Sequence, residues 1–371
     1  MTTPPPGPWP PPPPGPGQQP PSWGSQPPWE PPPQRSGNGA KWILGGIALV
    51  VVIGLTVVAT LLVTRDGSGS GEPTASAPPS TSRSADFSKI ASAGDTEPVT
   101  LIAEEPTCSG WAPIAQTLVD VQRRGWNQRD AAIPASKWTA EQRRMYGEVA
   151  SAMNLAADET VALALRTEHR VMREIYEQTI AYWRAYADAT SDYVPQDDHL
   201  AAVANGLSST VTWICAAIDY GSAPARILLL APNVTPIEVP PPSGVFDPKP
   251  FINEDSTTCS QWHAMVDDYQ VAIAEWQRSV DPAIPAGQWI PEQQRLFTEM
   301  VSVMGNNSGE IRQLGVQSRN PVWRDFASLA GAYRDAYVQS IPTYVPADNY
   351  LDSAASELVI AIDEACHAVG Q

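Results

Sequence analysis

The sequence predicts an all-α protein with a disordered proline-rich tail, one transmembrane helix and two tandem, disulfide-closed repeats that resemble four-helix bundles. Three observations support this fold class. The stretch "AIPASKWTAEQRR", which begins at Ala132, returns as "AIPAGQWIPEQQR" at Ala283, 151 positions later. Four cysteines are equally spaced in the two copies, and a run of 23 residues, 42–64, carries no charge.

Residues 1–41 form the proline-rich tail, with seventeen prolines between Pro4 and Pro33. This composition cannot bury a hydrophobic core, so we predict a disordered or extended chain that is partly polyproline II. Two roles stay open for the tail. In the first, the tail is only a flexible extension. In the second, it binds a polyproline-binding module or serves as a site for weak multivalent assembly.

Residues 42–64, "WILGGIALVVVIGLTVVATLLVT", have the length that a helix needs to cross a bilayer. A cleaved signal peptide would have a shorter preceding region and a shorter apolar run, so we predict an uncleaved signal anchor. Small residues in the run permit close helix packing without a strict GxxxG motif. Homo-oligomerisation through this helix is therefore left open.

Two low-complexity segments separate the predicted units. Residues 65–103 are rich in Gly, Ser, Thr and Pro and predict a flexible stalk. Residues 220–255 contain "VPPPSGVFDPKP" and predict a stiffer proline-rich linker between the copies, in which "ILLLAP" could dock on a domain. The predicted repeats are therefore 104–219 and 256–371.

The repeat extends well beyond the opening motif, because one constant offset relates the two copies without a gap over about 110 residues, within the size range of an independent domain. The motif "YVPQD" at Tyr193, for example, returns as "YVPAD" at Tyr344. The matched pairs include Trp111 with Trp262, Trp138 with Trp289, Met153 with Met304, Tyr182 with Tyr333, and Tyr186 with Tyr337. We therefore predict two copies of one domain.

The cysteines predict the pairing and the compartment. Cys108 and Cys215 are 107 positions apart, as are Cys259 and Cys366. Four cysteines allow three pairings, and the duplicated spacing favours one disulfide within each copy. Disulfides form in oxidising compartments, so we predict a cell-membrane protein with a cytoplasmic N terminus and extracytoplasmic repeats.

Each copy shows four segments with helical apolar periodicity. In the first copy they span 108–127, 139–167, 170–190 and 197–218, and in the second they recur 151 positions later. Thr139 and Gln142 fit a capping box, and Pro291 fits a first-turn proline. This pattern predicts a four-helix bundle in each copy.

The two repeated motifs are predicted to be structural corners. "AIPAxxW" falls between the first and second helices, where Trp138 or Trp289 would pack over the end of the bundle. "YVPxD" falls between the third and fourth helices, where Asp197 or Asp348 would cap the fourth helix. The disulfide would close each bundle by joining its first and last helices.

The candidate chemical groups do not form a site that both copies share. None of the four histidines has a matched histidine in the other copy: His169 aligns with Asn320, His199 with Tyr350, His263 with Ala112, and His367 with Ala216. Glu364 to His367 forms a single ExxH, whereas a di-iron bundle needs two such motifs. No CxxC, P-loop or GxSxG motif is present. We predict no catalytic residue, no cofactor and no metal site.

Two other repeated features are interpreted as structural. Glu141 and Glu148, with Glu292 and Glu299 in the second copy, are predicted to lie on a solvated helix face with ion pairs rather than to act as acid and base. The matched tyrosine pairs are predicted to pack in the core rather than to line a ligand cavity or bind haem.

Net charge limits the class of partner. The formal net charge is −17, and because residues 1–64 carry +1, the remainder carries −18. Such a surface repels polyanions, so we predict no nucleic-acid partner and no adsorption to anionic headgroups. Cationic proteins, diffusely held divalent ions and neutral ligands stay open.

This layout resembles uncharacterised proline-rich, single-pass envelope membrane proteins of actinobacteria, especially mycobacteria. The sequence supplies two rigid modules on a tether and no reaction centre, so we predict a membrane-tethered, non-enzymatic binding or scaffold protein of the cell envelope with an envelope protein as its partner. The alternative is a carrier or sensor that binds a small lipophilic ligand within the bundles, and an envelope hydrolase is the third hypothesis.

Residues that differ between the copies are predicted to carry recognition. Four of the tryptophans that differ between the copies are candidate binding anchors if they are exposed: Trp126, Trp183, Trp276 and Trp323. The alternative interpretation is that each tryptophan fills a locally different core.

Overall fold

A computed structural model describes residues 89–230, 239, 242 and 244–370, all of which belong to one compact unit. The predicted tail, the predicted transmembrane helix at 42–64 and the greater part of the predicted stalk lie outside the described residues. Within the described ranges the secondary structure is helices and turns, with no strand. The described part of the chain is therefore all-α.

The first group of helices follows a lead segment, 89–107, which contains a short 3-10 turn at Ala91–Gly94. The capping box of Thr139 and Gln142 is present, with Thr139 N donating to Gln142 Oε1 over 2.9 Å and Gln142 N to Thr139 Oγ1 over 3.1 Å. The four long helices are α1, Cys108–Gln122; α2, Ala140–Arg166; α3, Arg170–Ala189; and α4, Asp198–Asp219. A short helix, α5, Ser222–Arg226, ends the group.

The second group has four long helices: α6, Thr257–Ser279; α7, Pro291–Gln317; α8, Pro321–Ser340; and α9, Asn349–Val369. Proline occupies the first turn of α7, as predicted for Pro291. Asn320 caps α8 by accepting hydrogen bonds from Val322 N and Trp323 N, both over 3.1 Å. The starts of α7, α8 and α9 each follow those of α2, α3 and α4 by 151 positions.

Packing within each group is between helices that are consecutive in the chain. In addition, α1 contacts α4, and α6 contacts α9, so each group of four helices closes on itself. Disulfides join the same helix pairs: Cys108 to Cys215, with Cα atoms 5.5 Å apart, and Cys259 to Cys366, with Cα atoms 5.4 Å apart. These are the pairs that the duplicated spacing predicts.

The two groups meet along α4 and α9, which make the most extensive helix–helix contact in the described chain. The close approach depends on Gly206, because a Cβ atom built there would stand 3.0 Å from Ala361 Cβ and 3.2 Å from the Glu357 carbonyl oxygen. A second contact joins α3 to α8. The groups are therefore parts of one packed body.

One described helix is long and apolar enough to cross a membrane, namely Pro195–Asp219, with a mean hydropathy of 1.4. However, 67% of the most apolar 18-residue stretch of this helix is buried inside the molecule. The helix also contains the disulfide-bonded Cys215. This segment overlaps α4, which packs against α9. Core burial therefore accounts for its apolar composition.

The described parts of the predicted linker, 220–230, 239, 242 and 244–255, do not hold the two helix groups apart. Asp348, at the N terminus of α9, accepts hydrogen bonds from Ser222 Oγ over 2.7 Å and from Arg226 Nη2 over 2.8 Å. Phe251 donates its N–H to Gln178 of α3 and accepts from Asn320 of α8. The prediction of a spacer is wrong there, because polar groups of the segment find partners in both helix groups. In "ILLLAP", the side chain of Leu228 is 91% exposed, although the short turn Ile227–Leu229 lies against α8.

The predicted stalk boundary is also wrong, because residues 89–103 pack on the helices instead of extending freely. Leu101 and Ile102 are each 2% exposed, which a flexible stalk would not allow. Asp95 accepts a hydrogen bond from Arg170 N over 2.7 Å, and Ile102 O accepts one from Tyr333 Oη over 3.2 Å. The lead segment therefore contacts both helix groups.

Candidate functional site

The four candidate tryptophans do not lie on the surface. Their exposures are 2% for Trp126, 0% for Trp183, 8% for Trp276 and 3% for Trp323. Each packs against other aromatic side chains; for example, Trp183 stacks on Trp111 and Trp323 meets Trp262 edge to face. The condition of exposure is therefore not met, and burial of these large apolar rings agrees with the alternative that each fills its own core.

The repeated tyrosines and glutamates have structural surroundings. Tyr182, Tyr186, Tyr333 and Tyr337 are buried, and Tyr182 contacts Phe251 of the docked linker edge to face. Glu148 pairs with exposed Arg144 over 2.6 Å, and Arg295 pairs with Glu292 and Glu299. These are exposed helical ion pairs of the kind that contributes little to stability.

Buried charges occupy the contact between α3 and α8. Arg170 and Asp325 are each 1% exposed, and Arg170 Nε lies 2.9 Å from Asp325 Oδ2. Arg170 also donates Nη1 to the Asp95 carbonyl oxygen over 2.9 Å. Burial raises the pKa of Glu174 well above its ordinary value, and the negative charge of Asp325 adds to that rise. This cluster is an internal link between the helix groups rather than an open site.

A second polar cluster, the histidine cluster, is partly open to solvent. It is formed by three histidines and two acidic residues: His199, His263, Asp363, Glu364 and His367. His199 lies on α4 of the first group, whereas the other four residues lie on α6 and α9 of the second. Three of the four histidines in the chain therefore converge where the groups meet.

Two short hydrogen bonds organise the cluster. His263 Nδ1 lies 2.6 Å from Asp363 Oδ1, and His199 Nδ1 lies 2.6 Å from Glu364 Oε2. The ring of His367 stacks between the other two, with centroids 3.9 Å from His263 and 5.2 Å from His199. His367 Nε2 is 3.7 Å from Asp363 Oδ2. Asp363 therefore approaches two histidines with its two oxygens.

The pKa values follow this arrangement. The hydrogen bond that His263 donates to Asp363 raises the pKa of His263 despite partial burial. Burial alone would lower the pKa of His199, but the hydrogen bond and charge of Glu364 outweigh burial and raise it. Burial, with the nearby charge of His263, lowers the pKa of His367. The cluster therefore contains histidines with opposite pKa shifts in direct ring contact.

Metal-binding chemistry is available at one part of the cluster. Ligand atoms of His263, Asp363 and His367 all lie within 4.8 Å of one another. Two imidazoles and one carboxylate are a common ligand set for divalent transition metals. The structure therefore brings together a set of residues that the sequence analysis did not predict.

Comparison of the copies could not find this cluster, because it takes one histidine from the first copy and two from the second. A local signal was present in the second copy. His263 follows Cys259 by four positions, about one helical turn, and His367 follows Cys366 directly. Since these cysteines pair, their neighbouring histidines must lie close together. No comparable signal points to His199.

Two clefts stand out on the described surface. One, of about 450 Å³, lies between α1 and α2 and includes Arg124, Arg144 and Glu148. The other, of about 580 Å³, lies beside the lead segment and includes Lys89, Thr107 and Arg166. Both are open depressions that include charged residues, and the second also includes Pro106 and Leu165. Neither of these two clefts is an enclosed apolar cavity of the kind that the lipophilic-carrier hypothesis requires.

Comparisons with known proteins cover nearly the whole chain. The model of a family described as mycobacterial ESX-1 associated protein matches residues 90–370. An uncharacterised protein of Mycolicibacterium smegmatis (strain MKD8) is 41% identical over 353 residues, which is 92% of this chain and 90% of the relative. No solved structure matches the chain.

Proposed function

Because the chain belongs to the mycobacterial ESX-1 associated protein family, we propose that it is a membrane-tethered, non-enzymatic scaffold of the ESX-1 secretion system in the cell envelope. In this proposal, residues 42–64 anchor the chain, the tail lies in the cytoplasm, and the helical body lies outside. The helical body holds secretion components through protein–protein contacts.

One observation carries the proposal: the family match coincides with the single packed body. It begins at residue 90, where the lead segment packs on the helices, and ends at residue 370, after α9. The matched region includes the docked parts of the linker as well as both helix groups. A family that keeps this whole body is expected to use it as one unit.

The composition of the body supports a binding role. Its two closed helix groups are tied by a disulfide each and joined by buried ion pairs, so they present a preorganised surface. The strong negative charge of the chain favours a partner with a basic face and speeds association with it. We propose a cationic envelope protein as the partner class.

Deletion and complementation test the proposed role. In a host strain that lacks this chain, we expect loss of ESX-1-dependent secretion into the medium and recovery when the full chain is restored. A version with residues 1–64 replaced by a cleaved signal peptide keeps the body but loses the tether, and we expect it to restore secretion poorly. Immunoblotting of the body confirms equal abundance. Normal secretion in the deletion strain would refute the role.

In-cell crosslinking tests the partner class. A photoreactive residue placed at exposed Val271 or Leu228, which are 79% and 91% exposed, samples two separate parts of the surface. We expect ultraviolet-dependent crosslinks to a secretion-system component in intact cells. The same residue at buried Met153 is the control and should give none. Crosslinks that are absent from all exposed positions tested would contradict a scaffold role.

A further inference from the structure

We propose that His263, Asp363 and His367 form a Zn²⁺ site at the junction of the two helix groups, with His199 and Glu364 as positioning residues. This inference is independent of the proposed secretion role. It rests on the ligand geometry of the histidine cluster, on the disulfide beside it, and on its access to solvent.

The ligands are close to the geometry that zinc requires. Zinc–nitrogen and zinc–oxygen bonds of about 2.0–2.2 Å place the ligand atoms of a tetrahedral site about 3.4 Å apart. His367 Nε2 already lies 3.7 Å from Asp363 Oδ2, and His263 Nδ1 lies 2.6 Å from Asp363 Oδ1. The three ligand atoms lie within 4.8 Å of one another, and the stacked rings of His263 and His367 would have to part for both nitrogens to face one ion.

Backbone placement supports the same set. Asp363 and His367 are four residues apart on α9, so their side chains share one face of the helix. His263 extends towards them from α6. A carboxylate and a histidine one turn apart, completed by a histidine from a neighbouring helix, place three donors around one point.

The Cys259–Cys366 disulfide holds the two ligand-bearing helices together at this position. Cys259 lies four residues before His263 on α6, and Cys366 directly precedes His367 on α9. The covalent link therefore fixes the separation of the ligands before any ion binds. Such preorganisation reduces the cost of assembling a metal site.

Residues around the three ligands restrict their orientation. His199 Nδ1 donates a hydrogen bond to Glu364 Oε2 over 2.6 Å, and the His199 ring centroid lies 5.2 Å from that of His367. The His367 ring also stacks on that of His263, with centroids 3.9 Å apart, so both neighbouring rings limit how it can turn. Because His199 belongs to α4, the first helix group helps to position a ligand of the second, as outer-shell residues do in metal sites.

The site is accessible from outside. The side chains of His263 and His367 are 28% and 46% exposed, so water or a group of a partner protein can supply the remaining ligand. This resembles an open zinc site, which has three protein ligands and one exchangeable position. The acidic character of the chain raises the local concentration of divalent cations.

Zinc titration of the full chain tests the proposal. The protein carries an N-terminal tag without histidine, keeps both disulfides, and is titrated calorimetrically in excess Mg²⁺, which occupies diffuse carboxylate sites. We expect one Zn²⁺ per chain with micromolar or tighter affinity. His263→Ala, Asp363→Asn and His367→Ala should each weaken binding by at least about 10-fold, and His199→Ala by about 10-fold.

The control variant is His169→Ala, which removes the histidine that lies outside the cluster, where it contacts the Glu104 carbonyl oxygen. Zinc affinity should not change in this variant. Far-ultraviolet circular dichroism and a free-thiol assay establish that each variant is folded and oxidised. If His263→Ala misfolds, His263→Gln keeps a polar side chain there and takes its place.

A second readout identifies the ligands directly. Co²⁺ substituted for Zn²⁺ should give visible absorption bands of a four-coordinate nitrogen and oxygen site, and these bands should be lost in Asp363→Asn. Zinc affinity only in the millimolar range, or affinity that the three ligand variants leave unchanged, would overturn the proposal. The cluster would then be a network of hydrogen bonds and ion pairs alone.

Discussion

The two repeated corner motifs make equivalent contacts in both copies, whereas the histidine cluster is formed once, from residues that differ between the copies. In the first corner, Trp138 stacks on Tyr146 with centroids 3.8 Å apart, and in the second, Trp289 stacks on Phe297 with centroids 4.0 Å apart. The same backbone bonds close both corners: Ala135 N to Tyr193 O and Ala286 N to Tyr344 O, each over 2.9 Å. The corners therefore hold each helix group together by the same contacts.

The histidine cluster has no internal equivalent, because its residues have unrelated counterparts in the other copy. It lies where α4 of the first group approaches α9 of the second. The ion pair between Arg170 and Asp325 also crosses between the groups. The matched corner motifs therefore hold each group together, whereas this cluster and this ion pair, whose residues differ between the copies, join the groups. The predictions below test this division.

The largest effect is expected from breaking the ion pair between the groups. Asp325→Ala would remove the nearest carboxylate from the buried Arg170 cation and leave Asp95 and Glu174 at 3.8 and 3.9 Å, so we expect the free energy of unfolding to fall by about 3 kcal/mol. Urea unfolding of the purified chain measures the change.

A double-mutant cycle separates this pair from general damage to the core. The double variant Arg170→Met, Asp325→Leu removes both charges, so its loss of stability should be smaller than the sum of the two single losses. Additive losses would mean that the two side chains do not interact, and would refute the ion pair as a link between the groups.

The disulfides are expected to have the next largest effect. Replacing Cys259 and Cys366 by serine opens a covalent link across 107 positions and should cost about 2–4 kcal/mol. The matched change at Cys108 and Cys215 should cost about the same, because the closed segment is equally long. Thermal unfolding compares the two pairs.

The two disulfides should differ in one respect. Only the second link lies beside the zinc ligands, so only its removal should also weaken zinc binding. Equal zinc affinity in both double variants would contradict the preorganising role of Cys259–Cys366, whatever the effects on stability.

The sequence predicted those features of the fold that depend on local chemistry. Helical periodicity, the Thr139 capping box and the first-turn Pro291 depend on neighbours in the chain, and the structure has all three. Equal cysteine spacing likewise predicted the disulfide pairs. These signals are contained within one segment or one copy.

Contacts between segments far apart in the chain could not be predicted in the same way. Nothing near Ser222 or Arg226 indicates that both bind Asp348, and nothing near Asp95 indicates that it binds Arg170. The comparison of the two copies also discounted His199, because a residue without a match in the other copy cannot belong to a site that both copies share. Each such contact depends on the docking of two helix groups, which a local pattern does not encode.

The close approach of α4 and α9 gives the third prediction. Gly206→Val would force a side chain into the 3.0 Å gap beside Ala361 and the Glu357 backbone, and should destabilise the protein by about 1–3 kcal/mol. Gly147 of α2 is the control, since a Cβ atom there meets nothing within 4 Å. Gly147→Val should change stability by less than about 0.5 kcal/mol. Equal losses would show that the effect is one of helix propensity and not of the junction.

The smallest effect concerns Glu357, which faces the same junction on α9. Burial raises the pKa of its carboxyl to about 7, so the folded protein keeps a proton there that the unfolded chain releases near its ordinary pKa of 4.5. Stability from this group is therefore present at low pH and is lost as the pH rises through about 7.

Glu357→Gln has no proton to release and should be more stable than the wild type by about 1 kcal/mol near pH 8. The gain is small because the side chain keeps some contact with water. The difference in melting temperature should vanish near pH 4, and exposed Glu310→Gln should show no such pH dependence. A constant difference across this range would mean that Glu357 is ionised in the folded protein, and that α4 and α9 meet around a charge.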